Sequence, residues 1–145
     1  MRFGVPKMVK TIDMQEMRYL NLFEKITKVR TRFCFSYNNV IMFAVPQNLL
    51  ARSLGRDARN IKKIHQILGK KIKVVPIPRG AEDMKEFIQK IVNPVEFKDV
   101  ELKDDKVVLT AGSRNKAALI GRSKRRLHEM QKIVHDFFGK EFKII

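Results

Sequence analysis

Two glycine-centred, arginine-rich segments stand 66 residues apart in this chain, Ser53-Leu54-Gly55-Arg56-Asp57-Ala58-Arg59 and Leu119-Ile120-Gly121-Arg122-Ser123-Lys124-Arg125. Each lies between two stretches whose apolar spacing is helical. A glycine at such a junction lets a ligand approach main-chain N–H groups without a Cβ in the way, and the next helix offers the positive end of its dipole. Arginine and lysine beside it add charge-assisted contacts to phosphate. The chemistry on offer is therefore a grip on a sugar–phosphate backbone. Nearby apolar side chains and a strand edge would hold unstacked bases over about four nucleotides of single strand. The candidate contact residues are Gly55, Arg56, Arg59 and Lys62 in the first copy, and Gly121, Arg122, Lys124, Arg125 and Arg126 in the second. Taken singly, each glycine could equally be a helix C-cap with solvated arginines around it. Its recurrence in the same local order favours binding.

Other chemistries are poorly supplied. There is no GxxxxGK[ST], no GxGxxG after a strand and no GxSxG, so neither nucleotide hydrolysis nor esterase chemistry has support and no catalytic residue is assigned. His65, His128 and His135 are too few and too far apart for a metal set, and Cys34 is the sole cysteine. That count excludes an internal disulfide or a four-cysteine zinc cluster and suits a reduced, cytoplasmic setting. Asp104-Asp105 and Glu82-Asp83 read as a hairpin turn and a helix start rather than a general acid–base pair. Phe35, Tyr37 and Phe43 could stack on bases but fit better as core. The expected protein needs no cofactor and is not an enzyme.

The composition agrees with a polyanionic partner. The 145 residues hold 31 Lys+Arg against 15 Asp+Glu, a formal charge of +16, with 44% hydrophobic residues. That is more charge than solubility requires. Residues 1–79 hold 17 basic and 4 acidic side chains, and residues 80–145 hold 14 and 11. The second half nevertheless has seven Lys/Arg and no acid between Lys106 and His128, around its glycine turn. Residues 1–7 lack the apolar run of a signal peptide, and no stretch reaches the roughly 18 apolar residues of a membrane span. A soluble protein with no membrane partner is expected.

The elements around the turns repeat. After Thr11, read as an N-cap, Tyr19, Leu22, Phe23 and Ile26 form a helical stripe ending near Lys28. Strands are expected at 31–37 and 40–45 with a tight turn at Asn38-Asn39, then a short helix at 47–54. After Gly55, a helix carrying Ile61, Ile64, Ile67 and Leu68 ends at Gly69, and a strand follows at 71–77. Pro76, Pro78 and Gly80 make a stiff junction. In the second half Met84, Phe87, Ile88 and Ile91 mark a helix, followed by strands at 95–102 and 106–110 and a short helix at 114–120. Beyond Gly121 a helix carries Leu127, Met130, Val134 and Phe137 to Gly139, and 141–145 is the last strand. Gly55 to Gly69 is 14 residues and Gly121 to Gly139 is 18. The four extra residues add about one turn and keep the inward face. The chain therefore reads as α+β, in two domains, 1–78 and 79–145, each a three-stranded sheet covered by helices.

The order α-β-β-α-α-β with a GxxG-type turn resembles the type II KH domain. Used in tandem, it is similar to the archaeal NusA-like transcription termination and antitermination proteins over nearly the whole chain. Leu49-Leu50-Ala51-Arg52-Ser53-Leu54-Gly55-Arg56 and Ala117-Ala118-Leu119-Ile120-Gly121-Arg122 carry the resemblance. It implies contact with single-stranded RNA during transcription, with nascent transcript as ligand and RNA polymerase as a further partner. Two linked domains, expected to pack as one rigid body, would follow one strand. A full GxxG would place glycine at 58 and 124, where this chain has Ala58 and Lys124. Ala58 is read as a mild substitution at the first position of a helix, and Lys124 as a phosphate-gripping side chain. Asp57 would repel phosphate, so the second turn is expected to contribute more than the first. A ribosome-associated KH protein bound to rRNA and a protein-interaction module are the alternatives.

Overall fold

In a computed structural model of the chain, residues 13–145 are described. They form two compact units, 13–77 and Pro78–Ile145.

The first unit opens with helix α1 (Met14–Thr27). The Asp13 carboxylate caps it by accepting the Glu16 amide at 2.7 Å. Thr11, the expected cap, lies outside the described residues. Lys28 ends the helix in the left-handed region at φ 63°. Strands β1 (Phe33–Tyr37) and β2 (Val40–Val45) pair antiparallel, with Tyr37 opposite Val40. Asn38 and Asn39 between them have φ of 51° and 63°, the twist-matched geometry of a two-residue hairpin. Strand β1 starts two residues later than the alternation suggested because Thr31 replaces ladder bonds with its own side chain. Its hydroxyl donates to the Ala44 carbonyl and accepts the Phe33 amide.

A 3-10 turn at Gln47–Leu49 leads into helix α2 (Leu50–Leu54), then the glycine turn, helix α3 (Arg59–Leu68) and strand β3 (Lys71–Pro76). Strand β3 lies parallel to β2, giving the order β1-β2-β3. Helices α1 and α3 pack together, and α2 lies against β3 at the sheet edge. The core joins Phe23, Cys34, Ile41, Phe43, Val45 and Ile64. The rings of Phe23 and Phe43 stack at 4.3 Å, and burying each such side chain stabilises by about 1.5–3 kcal/mol. On the other face of the sheet Phe33, Phe35, Tyr37, Met42 and Ala44 are buried too. Phe35, Tyr37 and Phe43 are therefore core and not stacking platforms. Ile67 departs from the expected stripe, at 55% exposure.

The second unit repeats the order. Helix α4 (Met84–Val92) is followed by strands β4 (Asp99–Lys103) and β5 (Lys106–Thr110), helices α5 (Lys116–Ile120) and α6 (Arg125–Phe138), and strand β6 (Glu141–Ile144). Strands β4 and β5 pair antiparallel through Asp104 and Asp105 at φ 49° and 63°, and β5 and β6 pair parallel. Strand β4 begins at Asp99 and not at 95, because the Val95 amide turns back to the Val92 carbonyl at 2.9 Å. Phe87 of α4 meets Phe137 and Phe138 of α6 at 4.8 and 5.9 Å. Helix α6 is 14 residues long against 10 in α3, the one-turn difference anticipated from glycine spacing. Ahead of α4, Asp83 accepts the Arg79 amide at 2.9 Å and the Arg79 Nε at 3.0 Å. Both units are mixed α+β with one three-stranded sheet each, an arrangement that fits a KH-like fold.

Candidate nucleic-acid interface

The two glycine turns have almost the same backbone. Gly55 has φ 75° and ψ 175°, and Gly121 has φ 78° and ψ 170°. This combination of positive φ with extended ψ is essentially restricted to glycine. Asp57 (φ 54°, ψ 34°) matches Ser123 (φ 55°, ψ 29°), and Ala58 (φ 57°, ψ 31°) matches Lys124 (φ 60°, ψ 24°). The Ala58 amide donates to the Gly55 carbonyl and the Lys124 amide to the Gly121 carbonyl, each at 3.2 Å.

These angles correct two expectations. Ala58 is not a mild substitution at a helical position: it and Lys124 sit left-handed, where glycine carries no Cβ penalty. Nor does the missing Cβ at the first glycine leave room for a ligand. A Cβ on Gly55 would lie 2.9 Å from Asn60 Nδ2, and one on Gly121 would lie 2.8 Å from Arg126 Cγ and 3.0 Å from the Arg126 backbone nitrogen. The chain itself occupies that side.

What faces outward is charge. Arg56, Asp57, Arg59 and Lys62 are exposed around the first turn, and Arg122, Ser123, Lys124 and Arg125 around the second. Gly55, Gly121 and Arg126 are half-buried. Helices α3 and α6 begin without a capping side chain. Asp57 stands just ahead of α3, whereas no acid stands in the second turn or the first turn of α6, so only there is the positive end of the dipole not offset locally. Eight of the nine candidate residues thus lie at or beside an exposed cationic turn. The ninth, Arg126, turns inward: its guanidinium donates to the Ala118 carbonyl at 2.9 Å. The residue-type reading missed Asn60, which makes the corresponding bonds in the first turn. It also passed over exposed Arg52, Arg114 and Lys116, which flank the turns on the side of the preceding helix.

Charge away from the second turn is largely paired. Lys85 meets Asp99 at 3.1 Å, Lys90 meets Glu86 at 3.6 Å, Lys106 meets Glu141 at 3.5 Å, and Lys140 meets Asp105. A shallow groove of about 330 Å³ beside Gln131, His135 and Phe142 is lined by Lys106 and Lys140, whose charges are already met in this way. The acids of this unit therefore meet many of its lysines, while the second turn itself holds Arg122, Lys124 and Arg125 with no acid among them. Arg79 holds the Asp83 carboxyl below the usual carboxylate range through its hydrogen bonds, and Lys85 does the same for Asp99. These shifts belong to structural pairs. Among the described residues no three His, Cys, Asp or Glu side chains gather as a metal set, and no helix is long and apolar enough to cross a membrane.

No family model matches the chain. It is 27% identical over 139 residues to the probable transcription termination protein NusA of Methanococcus vannielii, covering 92% of this chain and 79% of that protein. It is 23% identical over 124 residues to the protein of the same name from Methanocaldococcus jannaschii, covering 83% and 66% respectively. Among solved structures it resembles the crystal structure of APE1850, with a TM-score of 0.60 and 26% identity over 92% of this chain and 99% of that one. By its similarity to these two archaeal proteins along most of its length, the chain is NusA-like, as the segments around Gly55 and Gly121 led us to expect.

Proposed function

We propose that this chain is a non-enzymatic, cytoplasmic protein of two tandem type II KH domains, which binds single-stranded RNA and acts in transcription termination or antitermination. The observation that carries the reading is the repeated turn, with one backbone shape and outward cations in both copies. The topology supports it: in each unit an antiparallel hairpin is joined by a parallel edge strand after the helix–turn–helix. The name of the two archaeal relatives supplies the transcriptional setting. RNA polymerase is the protein partner this setting suggests.

Phosphates are held by Arg56, Arg59 and Lys62 in one unit and by Arg122, Lys124 and Arg125 in the other. Asp57 lies exposed in the first turn where the second has Ser123, so the second turn contributes more affinity. Covalent linkage of two weak sites raises the effective concentration of each for the same strand.

The test is fluorescence anisotropy with a labelled single-stranded RNA across a salt series. Removing one cation that neutralises a phosphate of a single strand lowers the slope of log K against log salt by about 0.7. Arg122→Ala with Lys124→Ala is expected to reduce the slope by about 1.4 and weaken binding more than Arg56→Ala with Arg59→Ala does. Substituting the glycines would be a poorer test, since any Cβ there distorts the turn whatever it binds. A slope unmoved by the Arg122 and Lys124 changes refutes the reading. Co-sedimentation with ribosomal subunits in place of nascent transcripts would redirect it to rRNA.

A further inference from the structure

Asn60 and Arg126 differ in size, charge and shape, yet each stands five residues after its turn glycine. Asn60 Nδ2 donates to the carbonyls of Arg52 and Ser53 at 3.3 and 3.2 Å. Arg126 donates to the carbonyl of Ala118 at 2.9 Å. Arg52 and Ala118 are themselves 66 residues apart, the spacing of the two glycines, so both side chains reach the corresponding carbonyl. That carbonyl lies in the last turn of a five-residue helix, where no later helical amide is available to it. The same two side chains fill the volume that a Cβ on the glycine would need.

From this correspondence we infer that the fifth residue after each turn glycine is a clasp, a positioning residue that bonds the helix before the turn to the helix after it. On this assignment Arg126 serves RNA binding through the turn and not as a phosphate ligand. The clasp fixes the angle at which Arg122, Lys124 and Arg125 leave the backbone, and Asn60 does the same for Arg56 and Arg59. The glycine and the clasp form one device: the glycine supplies the backbone bend and the vacant Cβ position, and the clasp occupies that position and closes the bend. The presence of a clasp in both turns, made by two such different side chains, means that a donor of suitable reach is required and a positive charge is not.

The inference rests on the RNA-binding reading for its consequence but not for its geometry, and the experiment separates the two. Arg126→Ala, Arg126→Asn and Asn60→Ala are compared with Arg122→Ala in the full chain. Amide hydrogen exchange is followed at Lys124 and Ala58, whose N–H groups close the turns. The salt dependence of binding to a single-stranded RNA oligonucleotide is measured alongside. Arg126→Ala is expected to speed exchange at Lys124 about tenfold, the equivalent of one net hydrogen bond, and to weaken RNA binding. Arg126→Asn, which installs the first turn's own clasp, restores both the protection and the affinity with the original salt slope. Asn60→Ala speeds exchange at Ala58.

If Arg126→Asn instead lowers the salt slope by about 0.7, as Arg122→Ala does, Arg126 is a direct ligand and the assignment falls. Unchanged exchange at Lys124 in Arg126→Ala overturns it as well. Should the unaltered protein bind no RNA, the functional reading fails while the exchange arm still decides the clasp.

Discussion

Replacing Ala58 or Lys124 with glycine stabilises the unit that carries it. Both residues start a helix from the left-handed region, at φ 57° and 60°. There the Cβ of an L residue crowds the following carbonyl at a cost of about 1–2 kcal/mol. Glycine removes that cost but gives the unfolded chain more freedom, an opposing term of about 0.4–1 kcal/mol. The balance is a gain of about 0.5–1 kcal/mol at each site. For units of this length, that raises the melting temperature by about 2–8 °C. Calorimetry reads it directly, and urea titration gives the same gain as a higher midpoint at unchanged slope. Gly69→Ala is the mirror control: its φ is 68° with nothing within 4 Å of the would-be Cβ, so it reverses the same two terms without packing changes and lowers stability by about 0.5–1 kcal/mol. A lower melting temperature in Ala58→Gly would refute the reasoning, because it would mean that this residue does not hold a left-handed conformation in solution.

Gly121→Ala is expected to cost more than Gly139→Ala in thermal melts. The first combines glycine-only backbone angles with a 3.0 Å approach to the Arg126 nitrogen, a strain of about 1–3 kcal/mol before any packing loss; the second has φ 66° and open space. Equal losses would contradict the described turn. Asp83 has a depressed folded pKa, so its contribution to stability is present above the unfolded value of about 3.9 and is lost as pH falls through the lower folded value. Asp83→Asn should therefore flatten the fall of stability on the acid side below about pH 4 while leaving its shape above about pH 6 unchanged, as measured by urea midpoints at a series of pH values.

The parts of the fold legible in the sequence are those where side-chain chemistry alone selects the backbone. Asn38-Asn39 and Asp104-Asp105 announce their hairpins because short polar side chains tolerate positive φ. The glycine spacings predict the extra turn of α6 because a helix must keep its buried face through whole turns. Ala58 and Lys124 give no such signal, since neither side chain favours the left-handed region they occupy; only the second copy's matching angles reveal a constraint. Strand β1 begins late because of Thr31, and β4 because of a turn at Val92–Val95; both depend on where one hydrogen bond goes. Ile67 is apolar and helically spaced yet exposed, which periodicity could not foresee. At the candidate site, residue type is enough to expect cations on the exposed turns, but it gives no sign that the Arg126 guanidinium is engaged on a carbonyl.

That engagement changes what the glycines mean. A glycine in a basic turn invites the inference that something must approach it closely, yet here both are required before any ligand arrives. Their φ and ψ admit essentially no other residue, and the space beside each is filled by Asn60 or Arg126. What points to nucleic acid is therefore the set of residues between glycine and clasp. Arg56, Arg122 and Lys124 are projected outward from a strained segment that the clasp holds in shape, and neither the described core nor the paired lysines explain their presence. Strain at Ala58 and Lys124 that glycine would relieve, retained beside exposed cations, is the pattern expected where a turn is kept rigid for what it presents.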